Sequence, residues 1–479
     1  MYFEDISFDA IITDKNGVAL EADCRIAEPA ASGLPASISI EIPLIDKKHK
    51  MLRNPCTLRG TNGGIEIEIK DLWYRSIQLD VTPRKHARGA LHINHAGHLL
   101  VKRSYWQSDL ARFRFLLSPV RFFKKHSNAA MVNYSATPNM AVELFKLQTA
   151  EFGEIRFIKF WSVQHVEQNG GAAEIRASYA AEILCDKTTE LTVEQLVEKM
   201  KAVLIPLSIL TRQAITLHGW VWERREGIET MWFVPLAPNL APDMAEDFVK
   251  DVCDPEEFDE YAQAFVEKFL KASPHTREAI TLISVALAPH VKRSTAENFS
   301  ALFRALEQVI ALERLTKNER QKLRETDKEV IALLSDLKSR VEVISSANAA
   351  NVAARIDGFA NSIHGSGPSF NVRFEKFLSA YPELEFWMSD LWPLRGTKQL
   401  PGLKQIRDSL AHGFRQEYSL HTIAVAQWHF ARLLERVAFI VLGSEVPCGL
   451  QFGSYLLERE QWYDRSKWET VRKTARRKN

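Results

Sequence analysis

Hydrophobic residues recur at every second position through the first part of the chain and at every third or fourth through the last. The runs ASISIEIPLI (36–45), GIEIEIKDLW (64–73), SIQLDV (76–81) and EIRFIKFWSVQHV (154–166) alternate apolar with polar residues and are rich in Ile and Val, the pattern of half-buried strands. Turn signals lie between them at Lys15-Asn16-Gly17, Asn62-Gly63-Gly64 and Asn169-Gly170-Gly171. This predicts an all-β region up to about residue 185, a sandwich or a curled sheet, serving either as a recognition domain or as a scaffold. A helix is expected over 191–212, with Thr192 as N-cap, a stripe through Leu196, Met200, Val203 and Leu207, and a kink at Pro206. Two strands around Gly227 then read as a hairpin that closes the β-rich domain near Pro235. The Pro-rich LAPNLAPDM marks a boundary.

From about residue 245 the period is 3.6. Helices are expected at 257–271, at 275–288, at 295–315 (Phe299, Leu302, Phe303, Leu306, Val309 and Ile310 on one side) and at 326–345 (Val330, Leu333, Leu334, Leu337, Val341 and Ile344). A loop, SIHGSGPSFN (362–371), precedes a helix at 372–380 and an aromatic-rich stretch whose Phe386, Trp387 and Trp392 are assigned to the core. A final helix over 420–442 has Ser419 as its cap and Gly443 at its end. The fold class is therefore α+β: a β-rich domain over 1–240, then an α-helical bundle over 245–479 with its core at about 295–445 and a basic tail.

Composition narrows the function classes without choosing among them. A net charge of +2, with 25% charged and 46% hydrophobic residues, is ordinary for a globular chain, so any nucleic-acid site has to be a local patch. No run approaches the eighteen apolar residues of a membrane span, and the acidic start MYFEDISFDA is unlike a signal peptide, so no membrane partner and a cytoplasmic location are expected. The five cysteines form no C-x-x-C pair. Residues 243–260 carry nine Asp/Glu against one Lys and read as a solvated helix start, or as a segment that docks on a basic face.

Four stretches hold candidate chemistry. His86, His92, His95 and His98 lie close in sequence, but strand alternation turns His92 and His95 to opposite faces, and Asn94–Gly97 reads as a turn, which argues against a metal site. Residues 101–125 interleave seven Lys/Arg with Trp106, Phe113, Phe115, Phe122 and Phe123. Such a mixture suits a single-strand groove, although a core of Phe residues with the arginines in solvent accounts for it better. The tail over 459–479 has eight Lys/Arg against three Asp/Glu, and Arg465, Lys467, Arg472, Lys473, Arg476 and Arg477 are candidates to add affinity for RNA, although a solvated, partly frayed terminal helix is slightly the better account.

The fourth stretch is Arg407-Asp408-Ser409-Leu410-Ala411-His412-Gly413. Leu403, Ile406 and Leu410 form an apolar stripe, and Gly413 follows where a left-handed C-terminal residue is needed, so His412 falls in the last turn of a helix, where the dipole favours imidazolium. Arg407 offers a planar fork for phosphate oxygens, and Asp408 is placed to orient a partner. The run IRDSLAHG resembles the signature of HEPN domains, with Asp408 where Asn is commoner. The stretch ENFSALFRALEQVIALERL (297–315), with its Ala305–Glu307 "ALE", resembles an early helix of ApeA-type HEPN domains found in bacterial abortive-infection proteins.

What the resemblance implies is a metal-independent endoribonuclease of anti-phage defence that needs no cofactor, with His412 and Arg407 catalytic, Asp408 orienting and Glu307 supporting. It also implies a homodimer and a phage-derived trigger. Helical geometry points to a dimer as well, because Arg407 and His412 stand about 140° apart around one helix. The alternative is a HEPN module that binds RNA or a nucleotide and signals without cutting. A metal enzyme built on the histidine cluster is a third reading.

Overall fold

The structure is a computed structural model that describes residues 5–27, 37–43, 52–79, 88–104, 111–118, 141–165, 173–184, 191–233, 252, 257–288, 293–314, 316–344, 348–363, 369–397, 399–411, 417–451 and 464–475. The chain is mixed α+β, β-rich at first and helical afterwards, and divides into two compact units. Unit one comprises Met1–Lys271, Leu287–Arg293 and Pro447–Leu457, and unit two comprises Ala272–Ala286, Ser294–Val446 and Glu458–Asn479.

Unit one contains β1 (Asp5–Asp14), β2 (Ala19–Ala27), β3 (Ser37–Pro43), β4 (Cys56–Asn62), β5 (Ile65–Leu79), β6 (Arg88–His95), β7 (His98–Arg103), β8 (Arg112–Leu117), β9 (Val142–Thr149), β10 (Gly153–His165) and β11 (Ala173–Leu184). The helix α1 (Val193–Thr211), the hairpin β12 (Leu217–Arg224) and β13 (Gly227–Phe233), and α2 (Phe258–Lys271) follow. Strands β4-β1-β2-β3-β6-β5 close into a six-stranded barrel through the β4–β5 pairing, and from β5 the sheet continues through β7-β13-β12-β8-β11-β10-β9. Alternation along β1 sends Ile6, Phe8, Ala10 and Ile12 inward, where they meet Ile26, Ile40, Leu58, Ile69 and Leu99. Each such side chain contributes roughly 1.5–3 kcal/mol on burial.

Several expectations change here. The two strands expected at 64–73 and 76–81 are one fifteen-residue strand, Ile65–Leu79, with residues 80 and 81 outside the described residues. The turn expected at Asn94–Gly97 is a break in a continuous partner: β7 pairs with the first part of β5 (Lys70 opposite His98) and β6 with the rest (Trp73 opposite His95), so 88–103 runs antiparallel along all of β5. Gly97 donates its N–H to the Lys70 carbonyl, and an added Cβ there would lie 2.9 Å from the Cβ of Asp71, itself at φ 53°. Asn-x-x-Gly is a turn signal in isolation, but pairing along β5 makes it a local irregularity. The turn signals at Lys15–Gly17 and Asn62–Gly64 do join paired strands, whereas Asn169–Gly171 lies outside the described residues.

Phe113 and Phe115 are fully buried, Phe113 packing on Phe115 and Trp220, and Phe145 is likewise buried between Phe157 and Phe258. Their neighbours are not simply in solvent. Arg114 donates to Glu182 and Glu223, both at 2.7 Å, Arg156 donates to Glu182 at 2.7 Å, and Arg103 is buried. Trp106, Phe122 and Phe123 lie outside the described residues. Helix α1 has Thr192 in a capping box with Gln195. A boundary near 240–245 was expected, and residues 236–244 are outside the described residues, but α2 groups with the β-rich unit. The reason is local: the Phe258 ring meets Phe145 edge-on at 5.1 Å, and the Gln263 amide accepts from the Gln148 N–H (2.7 Å) and donates to its carbonyl (2.8 Å). That side chain occupies the backbone groups of the terminal strand β9 as a neighbouring strand would.

Unit two is helical: α3 (Pro274–Leu287), α4 (Thr295–Ile310), α5 (Lys317–Glu342), α6 (Ala349–Ile363), α7 (Phe370–Ala380), α8 (Glu383–Met388), α9 (Leu403–Ala411), α10 (Leu420–Val441) and α11 (Arg465–Lys473). Helix α5 starts at Lys317, earlier than expected, because Thr316 and Glu319 form a capping box. Its apolar stripe is only part-covered: none of the helix's residues is fully buried, and Leu333 remains 69% exposed. It packs chiefly on α6, a helix the sequence pattern missed because Ala-rich 349–363 carries few large apolar residues. Phe386, also expected in the core, is exposed, whereas Trp392 is buried. Arg436, fully buried, donates to both Asp390 oxygens (2.5 and 2.9 Å) and to the Trp387 carbonyl. Among the described residues no helix is long and apolar enough to cross a membrane.

Two stability predictions follow from unit one. An added Cβ at Gly219 would sit 2.0 Å from the Met231 carbonyl oxygen across the β12–β13 ladder, so Gly219→Ala should lower the melting midpoint of the β-rich unit, by several degrees in a thermal scan. His218 on β12 lies 3.0 Å from Thr216 Oγ1, and burial pushes its imidazole down to about 4 from 6.5. The unfolded chain then takes up a proton near pH 6.5 that the folded chain refuses until about 4, so this contribution is complete above 6.5 and is lost as the pH falls towards 4. Thermal melts between these pH values should show that slope in the wild type and a flatter one in His218→Gln.

Candidate functional site

Helix α9 is short, and its chemistry follows from which side is buried. Leu403 and Ile406 are fully buried with Ser409 beside them, which leaves Lys404, Arg407 and Asp408 on the more open side. Helix α4 packs alongside and presents Phe303 and Glu307, one turn apart on the same face. The Arg407 guanidinium lies 5.0 Å from the centre of the Phe303 ring. It donates from Nη2 to Glu307 Oε1 (3.3 Å) and from Nη1 to Asp408 Oδ1 (3.0 Å), and Lys404 Nζ donates to Asp408 Oδ2 (2.6 Å). Phe303 is in turn fixed by Phe370 and Phe430, with ring centres 5.2 and 5.7 Å away, so the guanidinium rests on an ordered part of the core.

Electrostatically the four groups balance: two cations, Lys404 and Arg407, and two carboxylates, Glu307 and Asp408. Partial burial pulls the Asp408 carboxyl upward, but hydrogen bonds and charge from Lys404 and Arg407 outweigh it and hold it below the usual carboxylate range. Asp408 is thus ionised at neutral pH and serves as a fixed acceptor. Arg407 is one-third exposed, so a phosphate oxygen reaching its open edge meets a permanent cation whose plane is set by Phe303, Glu307 and Asp408.

The start of α9 is anchored by backbone. Leu403 and Lys404 donate to the carbonyls of Pro393 (3.0 Å) and Leu394 (3.0 Å), and an added Cβ at Gly396 would lie 2.2 Å from the Gly402 nitrogen, so these two glycines permit the loop to close on itself. The Pro401 carbonyl accepts from Trp392 Nε1 and from Arg472 Nε, each at 2.9 Å.

The expected residues are therefore partly assembled. Adjacent Arg407 and Asp408 come together with Glu307, a hundred residues earlier; His412 and Gly413 lie outside the described residues. Lys404 and Phe303 were missed as site residues, though the Lys404/Asp408 and Phe303/Glu307 spacings of four were visible signals. The tail is not a row of free cations among its described members. Helix α11 is capped by Asp464 and docked by buried Trp468, which stacks near Trp392 (6.1 Å) and His429 (5.0 Å). Arg465 pairs with Glu469 (2.8 Å), Lys467 with Asp464 (3.5 Å), and Arg472 is spent on the Pro401 and Leu400 carbonyls; Lys473 lies in the last turn of α11, and Arg476 and Arg477 fall outside the described residues. Arg472 thus fastens the loop before α9, one turn along α11 from buried Trp468.

At the histidine cluster, His92 Nε2 meets Gln78 Oε1 (2.8 Å) and His98 lies edge-on to Phe233 (5.6 Å), while His86 and the His95 side chain fall outside the described residues. Among the described residues no three His, Cys, Asp or Glu side chains gather as metal ligands. Comparison of the chain with family models, with curated proteins and with solved structures found no match.

Removing the fastening should be felt at the site. Arg472→Ala should cost about 2 kcal/mol, the order of a charged hydrogen bond, and should speed amide exchange at Leu403 and Lys404. Unchanged protection there would show that Pro393 and Leu394 hold α9 without help from the terminal helix.

Proposed function

We propose that the helical unit is a HEPN-like domain and that the chain is a metal-independent endoribonuclease acting in the cytoplasm in anti-phage abortive infection. The observation that supports it is the ion pair between Arg407 and Glu307: the two stretches that resemble HEPN sequence, a hundred residues apart, pack together and place the acidic residue of one on the arginine of the other. In the proposed reaction a base takes the proton from a ribose 2′-hydroxyl, the resulting oxygen attacks the adjacent phosphorus in line, and an acid returns a proton to the departing 5′-oxygen, leaving a 2′,3′-cyclic phosphate. His412 serves these proton transfers. Arg407 binds the phosphate and stabilises its added negative charge, with Asp408 and Glu307 holding the guanidinium plane. Two copies arranged by a two-fold axis supply Arg407 from one chain and His412 from the other, which overcomes their 140° separation, about five residues at 100° each.

One observation favours a second reading. Both terminal nitrogens of Arg407 are already engaged by carboxylates, an arrangement that also suits a module which binds RNA or a nucleotide and signals without cutting.

Purified protein with total RNA in EDTA separates the two: cleavage to 2′,3′-cyclic ends supports the first, and a shifted but intact band the second. His412→Ala should slow cleavage on the order of 10²-fold or more, and Arg407→Lys should fail to restore an Arg407→Ala loss because an ammonium lacks the fork. Mixing Arg407→Ala with His412→Ala protein after subunit exchange should recover part of the activity; no recovery despite proven exchange places both residues of a site on one chain.

A further inference from the structure

Lys404 has no role in the reaction proposed above, yet it shares a ligand with Arg407. Its Nζ donates to Asp408 Oδ2 (2.6 Å) while Arg407 Nη1 donates to Asp408 Oδ1 (3.0 Å), so one carboxylate is gripped by two cations, one on each oxygen. As helix-stabilising charges these residues are misplaced. The helix dipole favours a carboxylate in the first turn and a cation in the last. Helix α9 has Lys404 in its first turn and Asp408 in its last, with no acid in the first turn and no base in the last. The order is also the weaker one for an ion pair four residues apart. The arrangement therefore needs a reason other than the stability of a nine-residue helix, and a grip by two cations on a two-oxygen anion supplies one.

Resting on the assignment of Arg407 to an RNA phosphate, we propose that Lys404 and Arg407 form a clamp for one phosphodiester of an RNA chain, in which the Asp408 carboxylate is a resident occupant that the phosphate displaces. A phosphodiester presents two free oxygens and one negative charge, as a carboxylate does, and guanidinium groups take either in the same two-pronged way. Charge makes the displacement necessary. Lys404 and Arg407 against Glu307 and Asp408 leave the resting site neutral, so an added phosphate brings one uncompensated negative charge. Withdrawal of Asp408 restores the balance, and its side chain, about one-third exposed, reaches solvent by rotation about its own bonds. Without Lys404 the phosphate would meet two carboxylates and a single cation. Glu307 and Phe303 approach Arg407 from α4 and take no part in the exchange, so the guanidinium plane is kept while the anion enters. Lys404 and Arg407 are also about one-third exposed, which leaves the clamp open to a polymer.

Fluorescence anisotropy of the full chain with a labelled 2′-O-methyl oligoribonucleotide, whose blocked 2′-oxygens prevent the proposed cleavage, reads binding apart from catalysis. Lys404→Ala should weaken binding about tenfold, the order of one charged hydrogen bond. It should also reduce the slope of log affinity against log salt by about 0.7, the share of one neutralised phosphate on a single strand. Lys404→Arg should keep both. Asp408→Asn removes the resident charge at nearly constant shape and should tighten binding roughly threefold, the scale of a part-exposed ion pair. If Asp408 only braced Arg407, its loss would weaken binding instead. That outcome, or unchanged affinity and salt slope in Lys404→Ala, overturns the clamp. Neither Lys404→Ala nor Asp408→Asn should lower the helical circular dichroism, since each removes a charge from the end of α9 where the dipole disfavours it. Arg407→Ala separates the clamp from the reading beneath it. Loss of binding in Arg407→Ala but not in Lys404→Ala sinks the clamp alone, whereas wild-type binding by Arg407→Ala, or no binding by the wild type, sinks both. Displacement of the oligonucleotide by an equal concentration of a mononucleotide would put a free nucleotide in the clamp and overturn its assignment to an RNA chain.

Discussion

Unit one depends on β5 serving three partners. A strand has two edges, and β5 meets the demand by length: its first residues pair with β4 on one side and β7 on the other, and its later residues pair with β6. The β4 pairing closes the barrel, and the β7 pairing carries the sheet onward to β9. If β5 ended near Trp73 these two pairings would remain, but the pairing with β6, and with it the closed barrel, would be lost. The irregularity at Asp71 and Gly97 is where the continuous partner strand passes from one role to the other, and a side chain at Gly97 would press on Asp71. Closure of the barrel also pairs the edges that its six strands would otherwise present.

In unit two the corresponding burden falls on buried polar groups. Arg436 with Asp390, and Arg432 with Glu435, are ion pairs inside a helical core, where removing one partner leaves a stranded charge at a cost of about 3–5 kcal/mol. The Arg432–Glu435 pair lies within α10, whereas Arg436 ties α10 to Asp390 and the Trp387 carbonyl in the segment that leads to α9. Trp392 extends this to the site, since its indole N–H and Arg472 converge on the Pro401 carbonyl two residues before α9 begins. The orientation of Arg407 is therefore inherited from the core on two sides: from Phe303 beneath it and from the anchored start of its own helix.

Much of this was legible in sequence. The change of period from two to 3.6 separated the β-rich region from the helical one, and caps at Thr192 and Ser419 marked helix starts because a side-chain oxygen satisfying a free N–H is a local event. Arg407 and Asp408 could be named as candidates from their own helix, and Glu307 from the resemblance of residues 297–315 to a HEPN helix. Failures occurred where a local signal was overruled by distant pairing. Asn94–Gly97 spelled a turn but lies along β5, and Phe386 was assigned to the core but is exposed.

By itself, then, the sequence determined element types, most helix starts and the residue types at the candidate site, because periodicity, capping and turn chemistry act within a few positions of the chain. Only the tertiary structure decided that β5 is shared between a barrel and an open sheet, that Phe303 and Lys404 complete the surroundings of Arg407, and that one face of the α5–α6 hairpin is left uncovered by its own packing. These are contacts between segments tens to a hundred residues apart, and no short-range pattern encodes which of many chemically suitable partners a strand edge, a guanidinium or an apolar stripe will meet.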